Sequence, residues 1–324
     1  MILKTLIQFL FLLAAVGWIS GAMPRQTFLL ELASHFPAQY AALALLLGLL
    51  AWRVRRMSLV IMCGVTLLIT LGQVLPYVLP AVLPPAQPAK TAYSKKFRVM
   101  QVNLHVSNNR YADVANNIRR ENPNVVALEE LSQEWANMIA SELKPEYPYQ
   151  VMFPREDAFG VGLISKTPVE SFEQRFYGDL ESIRVLPVPA LVVELASPVL
   201  RIVVAHPPPP FTLRMFEGRN RYLNAMAEHA AHLGETGSVV LMGDLNMTPW
   251  SGYYRQFVVE STLKDSLALK AGGATWPSYF PPLWIPIDHV MVSDRIRVFE
   301  RHTGAAAGSD HLPVIVTLSV PSVR

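Results

Sequence analysis

The sequence predicts an α+β domain preceded by an N-terminal transmembrane helical segment. Three observations carry this. Residues 1–85 are nearly free of charge, whereas the remainder has the composition of a soluble domain. Beyond residue 96, short β-rich runs alternate with amphipathic helical patterns, and no internal repeat of fixed period occurs. Carboxylates, amides and imidazoles sit at the ends of several apolar runs. Mixed strands and helices of this kind suggest two sheets, or one large mixed sheet, covered by helices.

Three apolar runs make up the first segment, at residues 6–22, 38–52 and 59–83, the last interrupted by Gly64, Gly72 and Pro76. A helix needs ~20 apolar residues to cross a bilayer core. The first and third runs meet that length, and Phe36 and Tyr40 can extend the second as interfacial anchors. Arg53, Arg55 and Arg56 form the densest basic cluster and place the second loop in the cytoplasm, and Lys4 puts the N-terminus on the same side. The first loop, where Arg25 is balanced by Glu31, then lies outside, and so does the soluble domain. The expected localisation is a multi-pass membrane protein with its soluble domain extracytoplasmic, periplasmic in a Gram-negative bacterium. The competing reading of the first run is a cleaved signal peptide ending near Gly21 and Ala22. It leaves the domain on the same side. The expected boundaries are a transmembrane segment of about three helices at 1–84, a linker at 85–96 opened by Pro84, Pro85 and Pro88, and a domain at 97–324.

Charge divides in the same way. Lys4, Arg25, Arg53, Arg55, Arg56 and Lys90 against Glu31 give the first 94 residues +5, leaving 22 basic and 24 acidic residues, or −2, for the rest. A non-specific DNA binder would usually be basic, so this balance argues against one. The single cysteine, Cys63, lies in an apolar run and forms no intramolecular disulfide.

In the soluble part, strands are predicted at 97–102, 125–128, 149–153, 160–164, 190–195, 201–205, 239–242, 288–292, 297–302 and 313–320. Helices are predicted at 111–121, stopped by Pro123, at 132–143 and at 213–233. The polar residues at the run ends are Asn103, Glu129 and Glu130, His206, Asp244 and Asn246, Asp288 and His289, and Asp310 and His311. Strand ends are where folds commonly assemble active sites. Carboxylate and amide oxygens suit Mg²⁺, which keeps several waters and takes few protein ligands.

These residues fall in motifs that resemble those of the endonuclease/exonuclease/phosphatase superfamily, which includes deoxyribonucleases, abasic-site endonucleases, inositol polyphosphate 5-phosphatases and neutral sphingomyelinases. In order they are Met100-Gln101-Val102-Asn103, the stretch from Asn122 to Glu130, Gly160-Val161-Gly162-Leu163-Ile164-Ser165, Val203-Val204-Ala205-His206, Gly243-Asp244-Leu245-Asn246, Ile287-Asp288-His289-Val290 and Ser309-Asp310-His311-Leu312-Pro313. Any one motif is weak; the ordered set, spanning about 97–318, is strong.

The resemblance implies a four-layered α/β/β/α sandwich and a metal-dependent phosphoesterase. It implies that Glu130 and Asn103 hold Mg²⁺, with Mn²⁺ as an alternative, and that Asp310 assists the metal or orients the loop of His311. Asp244 would orient or deprotonate the attacking water, and Asn246 would hold the phosphoryl oxygens. His311, paired with Asp288, would face the phosphate, and His206 would support the phosphate or the leaving group. The metal neutralises the charge that repels a nucleophile from a phosphodiester. A carboxylate beside an imidazole favours its charged form.

The chain departs from the pattern at His105, where many relatives have Asn or Asp, at Glu129, where Gln is frequent, and at Pro207–Pro210, which replace a polar loop. These bear on metal number and substrate class. Of the two glutamates, Glu130 is preferred as ligand, and strand alternation turns His289 away from Asp288. His105 reads equally as a ligand and as a loop residue. Arg219, Asn220 and Arg221 read most simply as a solvated helix face. Trp276 and Trp284, with Tyr279 and Phe280, pack a loop or wall the substrate pocket. The expected partners are a phosphate-ester substrate (nucleic acid, lipid headgroup or small molecule) and the lipid bilayer, and nothing in the pattern points to a protein partner. The rival class, a non-catalytic binding module on the same fold, is disfavoured because every expected catalytic position holds a competent residue.

Overall fold

The computed structural model describes residues 2–23, 27–81, 96–270 and 273–321; the predicted linker, apart from Lys96, lies outside the described residues. The chain divides into two compact units, Met1–Leu79 with Met247–Gln256, and Pro80–Asn246 with Phe257–Arg324.

The first unit contains helices α1 (Ile2–Ala22), α2 (Phe28–Ser34), α3 (Pro37–Arg53) and α4 (Met57–Val78). Among the described residues, α4 alone is long and apolar enough to cross a membrane. Helices α2 and α3 pass that test only together and are bent by 62° at their junction, while the apolar stretch of α1, Lys4–Ile19, is shorter. The region predicted as the first loop therefore holds a helix, with Glu31 buried on it. Pro37 opens α3, where its missing N–H costs nothing.

The second unit holds β1 (Phe97–Asn103), α5 (Tyr111–Glu121), β2 (Val125–Glu129), α6 (Gln133–Glu142), β3 (Tyr149–Phe153), β4 (Val161–Ser165), β5 (Val169–Phe176), β6 (Pro189–Ala196), β7 (Val199–Ala205), α7 (Leu213–Thr236) and β8 (Val239–Asp244). After α8 (Gly252–Ser261), which carries the chain from the first unit into the second, come β9 (Lys264–Asp265), α9 (Ser266–Lys270), β10 (Asp288–Val292), β11 (Arg297–Thr303) and β12 (Val314–Ser319). Helix ends follow local chemistry. Thr212 Oγ1 accepts from Met215 N to cap α7, Ser132 Oγ accepts from Trp135 N to cap α6, and Asn122 turns left-handed to end α5 before Pro123.

The strands form two six-stranded sheets, in the orders β11-β12-β1-β2-β4-β3 and β5-β6-β7-β8-β10-β9. Each sheet has one parallel pair, β1 with β2 and β7 with β8, and a helix makes each crossover, α5 and α7. Strand alternation sorts side chains into layers. Val99, Val125, Ala127, Val204, Val240, Met242, Val290 and Val316 belong to one core cluster drawn from both sheets. Met100, Val126, Leu128 and Ile315 turn the other way, onto Val114 and Ile118 of α5 and Trp135 and Ile139 of α6. Helix α7 buries Phe216, Leu223, Met226 and Ala230. The result is the four-layered sandwich. Strand β5 was not foreseen because it is largely exposed at a sheet edge and shows no apolar alternation.

Candidate active site

The inward parity of the core strands places the site. On β1, Phe97 and Val99 face the shared core, and the next two inward positions are Gln101 and Asn103. On β2 the inward series ends at Glu129, on β8 at Asp244, and on β10 it begins at Asp288. Asp244 and Asp288 are paired across β8 and β10. One end of the inter-sheet layer is thus polar while the rest is apolar.

Asp244 is the hub. It is 2% exposed, and its Oδ2 lies 3.6 Å from His206 Nε2, 3.6 Å from His311 Nε2 and 3.4 Å from Asn103 Nδ2. Its Oδ1 accepts from Asn246 N at 2.9 Å. His206 Nδ1 is 3.0 Å from the carbonyl of Ala158, an acceptor only, so Nδ1 carries a proton and Nε2 faces Asp244. His311 Nδ1 donates to Asp288 Oδ2 at 2.9 Å, and its Nε2 lies 4.0 Å from Asp310 Oδ1. Glu130 Oε1 accepts from Asn103 Nδ2 at 3.1 Å, and its Oε2 from Val106 N at 3.0 Å. Asn246 Nδ2 donates to Pro207 O. The structure thus links Asn103, Glu130, His206, Asp244, Asn246, Asp288, Asp310 and His311 in one cluster.

Electrostatics divide the labour. Burial pushes the Asp244 carboxyl up to about 6, against the pull of His311 and His206. Burial alone would push His311 down, but the carboxylates of Asp288 and Asp244 hold it up at about 10. Burial also opposes ionisation of Asp288, yet His311 keeps it below the usual carboxylate range. The pair is an imidazolium held by a carboxylate, with beside it Asp244, whose carboxyl is raised to about 6 and can take up a proton near neutral pH.

Local backbone matters too. Glu130, Asn246 and His105 have φ of 52°, 51° and 60°. Such left-handed conformations cost about 1–2 kcal/mol in a non-glycine residue and persist only where the surroundings hold them. Gly243 is required because a Cβ there would lie 1.8 Å from the carbonyl of Ala205, the residue before His206. A Cβ at Gly160 would lie 2.0 Å from the Leu131 carbonyl, just after Glu130.

Glu129 and Glu130 separate cleanly. Glu129 is fully buried, and its Oε2 accepts from Gln101 Nε2 and Asp244 N, both at 2.9 Å. Burial, then the charge of Asp288, push its carboxyl well above the usual range. Glu130 is partly exposed at the end of the layer. His289 turns to the opposite face and pairs with Asp265 at 2.6 Å. His105 donates its backbone N–H to Asn103 Oδ1.

For a metal, the donor chemistry fits a hard divalent cation. Glu130 offers carboxylate oxygens, Asn103 carries an amide oxygen that here accepts from His105 N while its Nδ2 meets Glu130, and Asp310 Oδ1 is buried with no hydrogen-bond partner while its Oδ2 accepts from Trp276 Nε1. Ligand atoms of Asp244, Asp288 and His311 also lie within 4.8 Å of one another, a group distinct from the Glu130, Asn103 and Asp310 set. There His311 Nδ1 is already committed to Asp288.

Two residues in the network were missed as such. Gln101 Nε2 bridges Glu129 Oε2 and Asp288 Oδ1, and its inward parity in an otherwise apolar strand was the available signal. Arg219 is fully buried rather than solvated, donating from Nη1 to the Asn246 carbonyl at 2.9 Å; Asn220 is buried beside it, whereas Arg221 is exposed as expected. One helical turn of α7 carries both kinds of arginine because one face packs on the sheet. Trp276 and Trp284 are half-buried, while Tyr279 on the same loop is 75% exposed.

Two mixed sheets with carboxylates, amides and imidazoles gathered at one end of their shared layer define a class of hydrolase built for phosphoester bonds. Residues 100–311 match the Endonuclease/Exonuclease/phosphatase family, and the chain belongs to it. Members of this family are hydrolases acting on phosphoester bonds and depend on divalent metals. No curated protein matches the chain. Among solved structures it is similar to an endonuclease/exonuclease/phosphatase from Beutenbergia cavernae (19% identity, 70% of this chain and 72% of that one, TM-score 0.56). It is also similar to an endonuclease/exonuclease/phosphatase from Bacteroides vulgatus (15%, 70% and 100%, TM-score 0.56). A third is the 3′ phosphatase NExo from Neisseria, bound to a product DNA hairpin (18%, 68% and 98%, TM-score 0.55). At these identities the likeness carries the fold alone.

Proposed function

We propose that the chain is a membrane-anchored, Mg²⁺-dependent phosphoesterase that works outside the cytoplasm. The observation that carries the chemistry is the Asp244 carboxylate, 3.6 Å from two imidazole Nε2 atoms, one of them on the Asp288–His311 pair. Asp244, fixed through Oδ1 by Asn246 N–H, orients a water and takes its proton. His311, kept charged by Asp288, binds the phosphoryl oxygens, and Asn246 and His206 hold the phosphate and the leaving group. Mg²⁺ held by Glu130 and Asn103, with Asp310 assisting, would neutralise phosphate charge and polarise the ester.

Membrane anchoring is supported by α4 and by its exposed apolar side chains, among them Ile61, Leu68 and Val78. The orientation is supported by the first unit itself. Helix α2 and the C-terminal end of α4 both contact the segment Met247–Gln256, and the turn holding Arg53, Arg55 and Arg56 lies at the other end of α4. A second reading, a diesterase for lipid headgroups, is favoured by the exposed Tyr279, Phe280 and Leu283 on the loop tied to Asp310 through Trp276. The net −2 of the soluble part favours it over nucleic acid.

The test is release of nitrophenolate from an aryl phosphodiester and an aryl phosphomonoester by the purified protein, with Mg²⁺ and with EDTA. Hydrolysis that EDTA does not diminish, or none of either ester, refutes the reading. A parallel assay on DNA, RNA, phospholipid vesicles and small phosphate esters assigns the substrate class.

A further inference from the structure

Strand β5 closes one end of its sheet. Its one strand neighbour among the described residues is β6, so its outer edge offers N–H and C=O groups to a further strand. Residues 170–176 are all exposed, with Phe172 at 56% and Phe176 at 53%. Two exposed phenylalanines on such an edge make a template for β-pairing.

Alternation gives the strand two different faces. Phe172, Gln174 and Phe176 share one, on the side of β3, where the ring of Phe172 lies 6.2 Å from that of Phe153. Glu173 and Arg175 share the other, on the side of α7, where Arg175 Nη1 lies 2.9 Å from Glu173 Oε1 and 3.1 Å from His229 Nε2. Read from either end, the stretch Phe172-Glu173-Gln174-Arg175-Phe176 is the same apart from the sign of its charges. Such a strand is complementary to itself when run antiparallel.

Symmetry selects the register. A second copy that continues the sheet antiparallel through β5 is related by a two-fold axis perpendicular to the sheet, which keeps like faces together. Registers centred on a residue meet this condition, whereas a slip by one residue exchanges the faces. Centring on Glu173 sets that carboxylate against its own copy, and centring on Arg175 does the same for the guanidinium; like charges directly opposite are destabilising. Centring on Phe172 leaves Glu173 and Arg175 opposite Ser171 and Val169. Centring on Gln174 sets Glu173 opposite the partner's Arg175 and Phe172 opposite the partner's Phe176, each pair occurring twice.

We propose that a second copy of this chain docks antiparallel on β5 in the register centred on Gln174, making a two-fold dimer whose sheet runs on from one copy into the other. The proposal is independent of the phosphoesterase reading.

The test uses the full chain in detergent micelles, its protein mass measured by light scattering after size exclusion. Wild type should have twice the mass of one chain. Glu173→Arg places like charges together at both ends of the interface, and so does Arg175→Glu. Each should weaken dimerisation by about tenfold or more and give monomer, with circular dichroism unchanged. An equimolar mixture of the two variants brings opposite charges together again in both pairs and should return to dimer, a rescue that no folding defect can imitate. Where either variant fails to fold, a covalent link decides. Gln174→Cys in a Cys63→Ala background puts the thiol beside its own copy and should give a disulfide dimer on mild oxidation, while Ser171→Cys in the same background should not. A monomeric wild type, which would assign the charges to keeping edges apart, overturns the proposal. So do single variants that stay dimeric, a mixture that stays monomeric, or a cross-link that fails at position 174.

Discussion

Exchanging each of the two adjacent glutamates for glutamine distinguishes their roles. Glu129 is fully buried, and burial with the charge of Asp288 pushes its carboxyl well above the usual range, which favours its neutral form. Glutamine is also neutral, has the same shape, and can accept from Gln101 Nε2 and Asp244 N through its carbonyl. The change adds one buried donor, which costs about 1–3 kcal/mol of stability when unsatisfied. Turnover should therefore stay within about threefold, or roughly 0.6 kcal/mol in the barrier, while the melting temperature falls. As glutamine, Glu130 can accept from only one of its two donors, Asn103 Nδ2 or Val106 N, because its amide nitrogen donates, and its charge is gone. Loss of a charged ligand should lower kcat/KM by ~10² or more, about 2.7 kcal/mol, and raise the Mg²⁺ needed for half-maximal rate. The assay is diester hydrolysis across a Mg²⁺ titration, with thermal melting alongside. Equal losses in the two variants, or a larger one at Glu129, would refute the assignment of the metal to Glu130.

Three further outcomes are expected. Asp244→Asn and His311→Ala should each lose ~10²–10⁴ in kcat with circular dichroism unchanged, and a variant retaining more than about a tenth of the activity removes that residue from the mechanism. In metal-free protein the raised His311 group stabilises the fold fully below about pH 6.5. That contribution is lost as pH rises through about 10, so the melting temperature should fall more steeply between these values in wild type than in His311→Ala; parallel curves would show that the Asp288 pair adds nothing. A reporter active only outside the cytoplasm, fused after Arg324, should be active, and a signal solely from its cytoplasmic counterpart sinks the proposed orientation.

Much of the second unit was legible because its strands are buried and periodic. Residues 149–153 and 288–292 begin and end where predicted, and helix 111–121 ends at the left-handed Asn122 just before Pro123. What escaped had no period to read. Strand β5 lies exposed at an edge, and α2 is too short, at seven residues, for its apolar pattern to stand out. The site residues were visible as polar interruptions at strand ends. The layer beneath them was not, because Gln101 and Arg219 are polar residues whose burial depends on partners distant in sequence, Asp288 and the Asn246 carbonyl. Equally invisible was the membership of Met247–Gln256 in the first unit, since nothing local distinguishes Thr248 or Ser251 from ordinary loop residues.

The shared inward parity of Asn103, Glu129, Asp244 and Asp288 has a consequence for how such a protein diversifies. The reacting groups are bolted to the same strands that make the hydrophobic core, so they cannot be rearranged without dismantling it. The proline run at Pro207–Pro210 and the aromatic loop ending at Trp284 lie outside those strands and meet the site through the Pro207 carbonyl and the Trp276 indole. New selectivity can thus be acquired by exchanging these two loops while the chemistry is inherited unchanged. Grafting the corresponding loops from a relative of different preference is accordingly the economical route to redirecting this protein, and substitution within its strands the least promising one.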